Sequence, residues 1–290
     1  MQGGTLRPKR LTEALPLLPF VAVVTVFLVI PTVTVIVNAF RDDTADGAFS
    51  LSRIGALFSP TALTALGSSV LLSASTAIIG AVFGAVLAWL IVSSPPSAMV
   101  RRAVISLCSV LAQFGGVALA FAFLATVGLN GVLTLWVQQA FGWDMAGSGW
   151  LYSLVGLILV YSYFQIPLMV IVFLPALEGL REQWWEAAVS LGASRWQYFR
   201  EVVVPLLMPA FLGSALLLFA NAFAAYATAA ALVSQGSPIV PLLIRSALTS
   251  EVVLGQSGFA YALALEMIVV VAAVMAAYNV LVRRTARWLR

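Results

Sequence analysis

The 290-residue chain contains no histidine and only one cysteine, Cys108, which sits inside an apolar run. A disulfide within the chain is therefore excluded, and neither a zinc site nor histidine-based acid–base catalysis is expected. Charge is scarce as well, at 9% of residues against 62% hydrophobic. A soluble domain carries roughly 25% charged residues, so this composition describes an integral membrane protein. The mean hydropathy of +1.05 agrees. No period of 20 to 50 residues recurs, which excludes a repeat array. No Gly-x-x-x-x-Gly-Lys-Ser/Thr phosphate loop occurs, so any ATP chemistry must come from another chain. The net charge of +4 matters less than where the charges fall, and no nucleic-acid partner is expected.

What the chain has is long apolar runs. A transmembrane helix needs about 20 mostly apolar residues, and six runs qualify: 15–40, 63–93, 103–127, 151–175, 206–233 and 259–282. The expected fold is all-α, with six transmembrane helices. The first run follows Arg7, Lys9 and Arg10, but it is too long for a signal-peptide core and no clear small-residue cleavage site follows it; it reads as a retained helix. If the N-terminus is cytoplasmic, inner segments hold 12 of the 15 basic residues and outer segments only Arg41, Arg53 and Arg245. The positive-inside rule then puts both termini in the cytoplasm.

Within the spans, Gly80 and Gly84 share a helix face, and "ANAFAAYATAAA" at 220–231 is nearly all small. Such residues let helix backbones approach closely in lipid. "NGVLTLWVQQAFGW" reads as a short amphipathic helix at the outer interface, with Trp136 and Trp143 at headgroup level.

Residues 176–205 stand apart. Leu177, Leu180, Trp184, Ala188 and Leu191 recur at helical spacing as an apolar stripe, beside an acidic stripe of Glu178, Glu182 and Glu186. Gly192 is placed to end that helix, and Ser194 with Gln197 forms the capping box of the next, which runs to Pro205. The periodicity describes a cytoplasmic helical elbow. It leaves open whether the apolar stripe meets lipid headgroups, the protein's own spans or another protein.

The spacing of this stretch resembles the signature of permease subunits of binding-protein-dependent type I ABC importers. Glu186-Ala187-Ala188 is followed by three residues and Gly192, then nine residues lead to Val202, and Val204-Pro205 closes the pattern. Valine replaces isoleucine and leucine of the signature, both conservative changes. The resemblance implies that residues 1–62 form an N-terminal tail, first helix and outer loop, that 63–282 form the permease core, and that 283–290 form a basic cytoplasmic tail. It implies that 176–205 carry a coupling helix seated on a separate ATPase through Glu186, Ala187, Ala188, Leu191, Gly192 and Pro205. The chain itself is then a transport subunit and not an enzyme, with no cofactor of its own, the Mg-ATP lying on the partner. The further partners implied are a second permease, identical or homologous, an extracytoplasmic binding protein and membrane lipid. The implied location is the bacterial plasma membrane.

Polar groups inside the spans are the candidates for a translocation pathway. Glu266 is the only acidic residue within a span, about 10 Å deep from Phe259, where a carboxylate is functional by default. Asn221 and Tyr226 on the fifth span and Gln113 on the third accompany it; Gln165 lies near Pro167 on the fourth. For the amides and tyrosine, inter-helix hydrogen bonding is the competing role. The C-terminal part resembles permeases of polyamine importers, and also those for phosphonate and ferric iron. Glu266 suits a cation such as spermidine or putrescine, and a sugar or phosphate ester is the alternative. A secondary transporter driven by an ion gradient normally carries broken-helix repeats and several midplane charges. An intramembrane enzyme needs a nucleophile with a base, or paired acids. The chain offers one such charge and no evident repeat.

Overall fold

The computed structural model describes residues 17–41, 49–95, 99–144, 147, 149–233, 239–249 and 256–286. Within them the regular structure is helical, apart from one isolated bridge between Arg41 and Phe49. Six segments are long and apolar enough to cross a membrane: Leu18–Ala39, Pro60–Val92, Gly116–Phe141, Leu154–Glu178, Arg195–Ala224 and Gly258–Val280.

In chain order, α1 is Leu18–Ala39, α2 Ser52–Ala56, α3 Pro60–Val92, α4 Met99–Gln113, α5 Gly116–Val127 and α6 Val132–Phe141. Then come α7 Leu154–Glu178, α8 Glu182–Ser190, α9 Arg195–Ala224, α10 Ala227–Leu232, α11 Val240–Thr249 and α12 Gln256–Ala286. The central seam is α3 against α7, with α9 packed on both; α4 lies on α7, α10 on α5, and α12 on α1, α9 and α11.

That seam is close because α3 puts glycines there. A Cβ at Gly80 would lie 2.7 Å from Leu218 Cδ2 and 2.9 Å from Gln165 Cβ. At Gly84 it would lie 2.4 Å from Met169 Cβ and 2.7 Å from the Ile166 carbonyl oxygen. Without a hydrophobic driving force between helices in lipid, this proximity is what holds the spans together. Gly213 plays the same part between α9 and α12, where a Cβ would meet the Tyr278 ring at 2.6 Å.

The interior divides into two main apolar layers. Ala81, Ala88, Cys108, Met169, Phe173, Leu177 and Leu207 fill the layer nearest α8. Leu72, Leu119, Leu157, Tyr161, Ala222 and Leu232 fill the layer at the opposite end. Large apolar side chains are exposed around the outside, among them Phe27, Phe83, Phe121, Val155 and Val269, as a lipid-facing surface requires.

Two of the expected spans are interrupted. The third, expected as one helix over 103–127, breaks after Gln113, so α4 lies in the layer near α8 and α5 in the far layer. Gly115 is extended and Gly116 adopts φ +71°, a conformation that removes the intrahelical bonds of one turn. The fifth, expected over 206–233, starts earlier at Arg195 and stops at Ala224; Ala225 is extended before α10 begins. A π-turn at Phe199–Val203 precedes Pro205 and carries the helix past a residue that cannot donate to the ladder. The short helix expected over this stretch is present as α6, with Trp136 and Trp143 exposed, and it is part of the third membrane-length segment, Gly116–Phe141.

Candidate functional site

Two places stand out, a polar belt between the apolar layers and the bare helix α8. The belt forms where the third and fifth spans break. Broken backbone within a membrane must find internal partners, and here the first break is served from just beyond the second, and the second by α7. The Gly116 N–H donates to Thr228 Oγ1 at 2.9 Å, and the Tyr161 hydroxyl donates to the free carbonyl of Ala225 at 2.7 Å. One turn along α7, Gln165 is fully buried, donates to the Leu218 carbonyl at 2.7 Å and accepts from Asn221 Nδ2 at 3.4 Å.

Of the residues expected to line a pathway, Gln113 ends α4 at the first break and is exposed, and Asn221 lies one turn before the second and is also exposed. Tyr226 stands in the second break itself, so the 140° that would separate it from Asn221 on an unbroken helix does not apply. Tyr226 lines a cavity of about 360 Å³ with Pro241, Ile244, Arg245, Leu248 and Met267. Glu266 is one residue from that wall and does not line it; its Oε2 is buried with no hydrogen-bond partner among the described residues. The belt also holds Gly116, Tyr161 and Thr228, which the sequence reading did not select. The Gly115-Gly116 pair inside an apolar run was the available signal for the first break. Nothing comparable marks Ala225.

At the other place, α8 has no buried residue. It ends in a Schellman turn: Ala193 N–H donates to the Ala188 carbonyl at 3.0 Å and Gly192 N–H to that of Val189 at 2.9 Å, with Gly192 at φ +80°. The expected capping box is formed, Gln197 N–H donating to Ser194 Oγ at 3.3 Å and Ser194 N–H to Gln197 Oε1 at 2.8 Å. Trp185 packs edge-on against Tyr198, with ring centroids 5.2 Å apart, and ties α8 to the start of α9. The outer face is left uncovered: Leu191 is 89% exposed, and Trp184, Glu186, Ala187 and Val189 are exposed beside it. Ala188 is partly covered.

One expectation for this stretch is corrected. Leu177 and Glu178 belong to α7, and the chain turns at Gly179–Arg181 before α8 starts. Leu177 is buried in the core, and Glu178 forms an ion pair with Arg101 at 2.5 Å. The acidic and apolar stripes are therefore split at their first members, because the loop restarts the helical phase.

These features match a known family. Residues 117–287, more than half of the chain, match the model of the binding-protein-dependent transport system inner membrane component, and the chain belongs to that family. It is 33% identical over 152 residues to the sulfate transport system permease protein CysT of Escherichia coli K12, covering 51% of each chain. It is 28% identical over 191 residues to the probable sulfate transport system permease protein cysT of Marchantia polymorpha, covering 64% of this chain and 61% of that protein. It is also 29% identical over 154 residues to the E. coli molybdenum transport system permease protein ModB, covering 53% of this chain and 64% of that one. The chain thus spans about half to two thirds of the length of these relatives. The fold is that of a bacterial ABC transporter for alginate import, with a TM-score of 0.76 at 18% identity over 94% of this chain and 95% of that one. The expected tie to polyamine permeases is not supported: these relatives are named for sulfate and molybdenum, and a further one, from Salmonella typhimurium, for thiamine.

Proposed function

We propose that the chain is the permease subunit of an ABC importer, that α8 is its coupling helix, and that its substrate is a small oxyanion of the sulfate class. The observation that carries the coupling role is α8 itself. A nine-residue helix with no buried residue is too short to be stable alone in water, yet its C-terminal end is fixed by a Schellman turn that leads directly into the capping box of α9. Such a helix is built to be covered by something outside the chain. Leu191 and Trp184 supply the apolar anchors and Glu186 the charge, which suits a groove on a partner ATPase. The relatives named for sulfate and molybdenum support the oxyanion class.

In this reading α8 and both termini face the cytoplasm, a second permease completes the pathway, and a binding protein delivers substrate from outside. The belt at the two helix breaks is where the pathway changes shape, since broken helices bend there without loss of regular hydrogen bonds. Glu266, Asn221, Tyr226 and Gln113 are its polar lining. A second substrate reading has two observations behind it. Glu266, whose Oε2 has no hydrogen-bond partner among the described residues, suits a cation better than an anion, and one relative is named for thiamine, a cation.

Uptake into cells or vesicles carrying the whole system tests both parts. Glu186→Ala and Leu191→Ala are expected to cut uptake at least about tenfold while the protein remains inserted and folded, the loss per anchor typical of an interface hot spot. Undiminished uptake in both variants refutes the coupling role. Competition of uptake by sulfate and molybdate, with no competition by thiamine or spermidine, is expected; the reverse pattern moves the assignment to a cation and makes Glu266→Gln the next variant.

A further inference from the structure

Beside α8, the helices α3, α7 and α9 leave a cleft of about 350 Å³ on the flank of the bundle, with walls including Ala85, Val86, Leu90, Phe173, Leu207 and Met208. Every lining side chain is apolar. The cleft is continuous, through Trp89, Phe199 and Val203, with a second cavity of about 330 Å³ that also takes in Trp185, Arg195 and Tyr198. The aromatic groups are stacked in place: Trp89 meets Phe199 edge-on at 5.8 Å, and Trp196 lies parallel to Phe199 at 5.8 Å.

The two cavities differ in one respect. The first carries no charge; the second carries Arg195 and no acidic residue. Arg195 forms no ion pair or hydrogen bond through its guanidinium among the described residues. Along α3 the apolar cleft reaches from near the helix end at Val92 back to Ala85, a depth of about 10 Å. The aromatic cavity sits at the end of the span, at the depth where tryptophan and tyrosine meet lipid headgroups.

We propose that this paired cavity binds an anionic phospholipid of the leaflet on the α8 side, one acyl chain in the cleft and the headgroup phosphate at Arg195. The division of chemistry matches such a molecule end for end, apolar where the tail lies and cationic where the phosphate lies. An ATPase in the aqueous phase does not reach 10 Å into hydrocarbon, so it is not the occupant of the cleft. The site rests on the membrane fold alone and not on the transport reading. Because Arg195 and Phe199 lie in the first turns of α9, directly after the turn that leaves α8, an occupied site braces the root of α8.

Native mass spectrometry of the full-length protein, purified in mild detergent with its partners, tests this with phosphatidylglycerol and phosphatidylcholine of equal chain length. One phosphatidylglycerol per chain is expected to be retained, about fivefold over phosphatidylcholine, the factor one basic side chain near a bilayer supplies. Arg195→Gln is expected to remove that preference while keeping the acyl adduct, and Val86→Trp, which fills the cleft from its rim, to remove both. Equal retention of the two lipids, unchanged in both variants, overturns the proposal. So does a cross-link from a cysteine at Val86, in a Cys108→Ser background, to a second permease chain, which would make the cleft a protein interface. Neither result bears on whether the chain couples ATP hydrolysis to uptake.

Discussion

The α3–α7 seam and the helix α8 are built on opposite plans. Along the seam Gly80 and Gly84 bring backbones into contact, Gln165 is wholly buried, and its amide bonds to two groups of α9. In α8 nothing is buried, and the order comes from its C-terminal side: a Schellman turn, the capping box that starts α9 and one aromatic contact. The seam is finished within the chain. The α8 knuckle is ordered locally and left apolar outside, which is what a surface meant for another protein requires. Change in the seam should therefore register as lost stability, and change in α8 as lost function with stability retained.

Gly84→Val tests the seam most severely. The added Cβ alone has no room beside Met169 and Ile166, so α3 and α7 must separate. Overpacking costs typically 1–3 kcal/mol, and backbone contact puts this variant at about 3 kcal/mol or above. Thermal unfolding followed by fluorescence-detected chromatography should show a large drop or no recoverable protein. A midpoint equal to the parent's would mean that the seam is not tight.

Gly192→Ala tests the other side. No atom lies within 4 Å of the added Cβ, so the only cost is the left-handed backbone, about 1–2 kcal/mol. That cost falls on α8 and not on the bundle. Tryptic cleavage at Arg181 and Arg195 should rise about tenfold while the global midpoint moves little. If the midpoint falls as far as in Gly84→Val, the two regions fold as one unit. Gln165→Leu, in the seam, costs the least of the three, near 1 kcal/mol, because a hydrogen bond inside a helical membrane protein is worth less than its burial implies.

The contrast explains what the sequence made legible. The elbow was read well because caps are local: Ser194, Gln197 and Gly192 act on their own neighbours, and their roles depend on no distant residue. The close approach at Gly80 and Gly84 was legible for the same reason, since small residues at helical spacing announce a face. The break at Ala225 was not, because alanine marks neither helix nor turn, and the groups that stabilise it, Tyr161 and the Gly116–Thr228 pair, come from far along the chain. The polyamine expectation came from a resemblance of the C-terminal part and from Glu266, a single side chain, whereas relatives matched over 150 residues or more are named for sulfate and molybdenum.

The smallest effect belongs to the contact that joins the two plans. Arg101 at the start of α4 pairs with Glu178 at the end of α7, four residues before the start of α8. The Glu178 side chain is 46% exposed, so water and salt screen the pair. A double-mutant cycle with Arg101→Gln and Glu178→Gln should give a coupling of about 0.5 kcal/mol that fades as salt is raised. In that case the pair merely trims the loop, and α8 owes its position to backbone and caps. A coupling above about 2 kcal/mol, insensitive to salt, would show the ion pair to be a rigid strut. The motion of α8 would then be passed directly to α4 and α7, and the separation between the two regions would not hold.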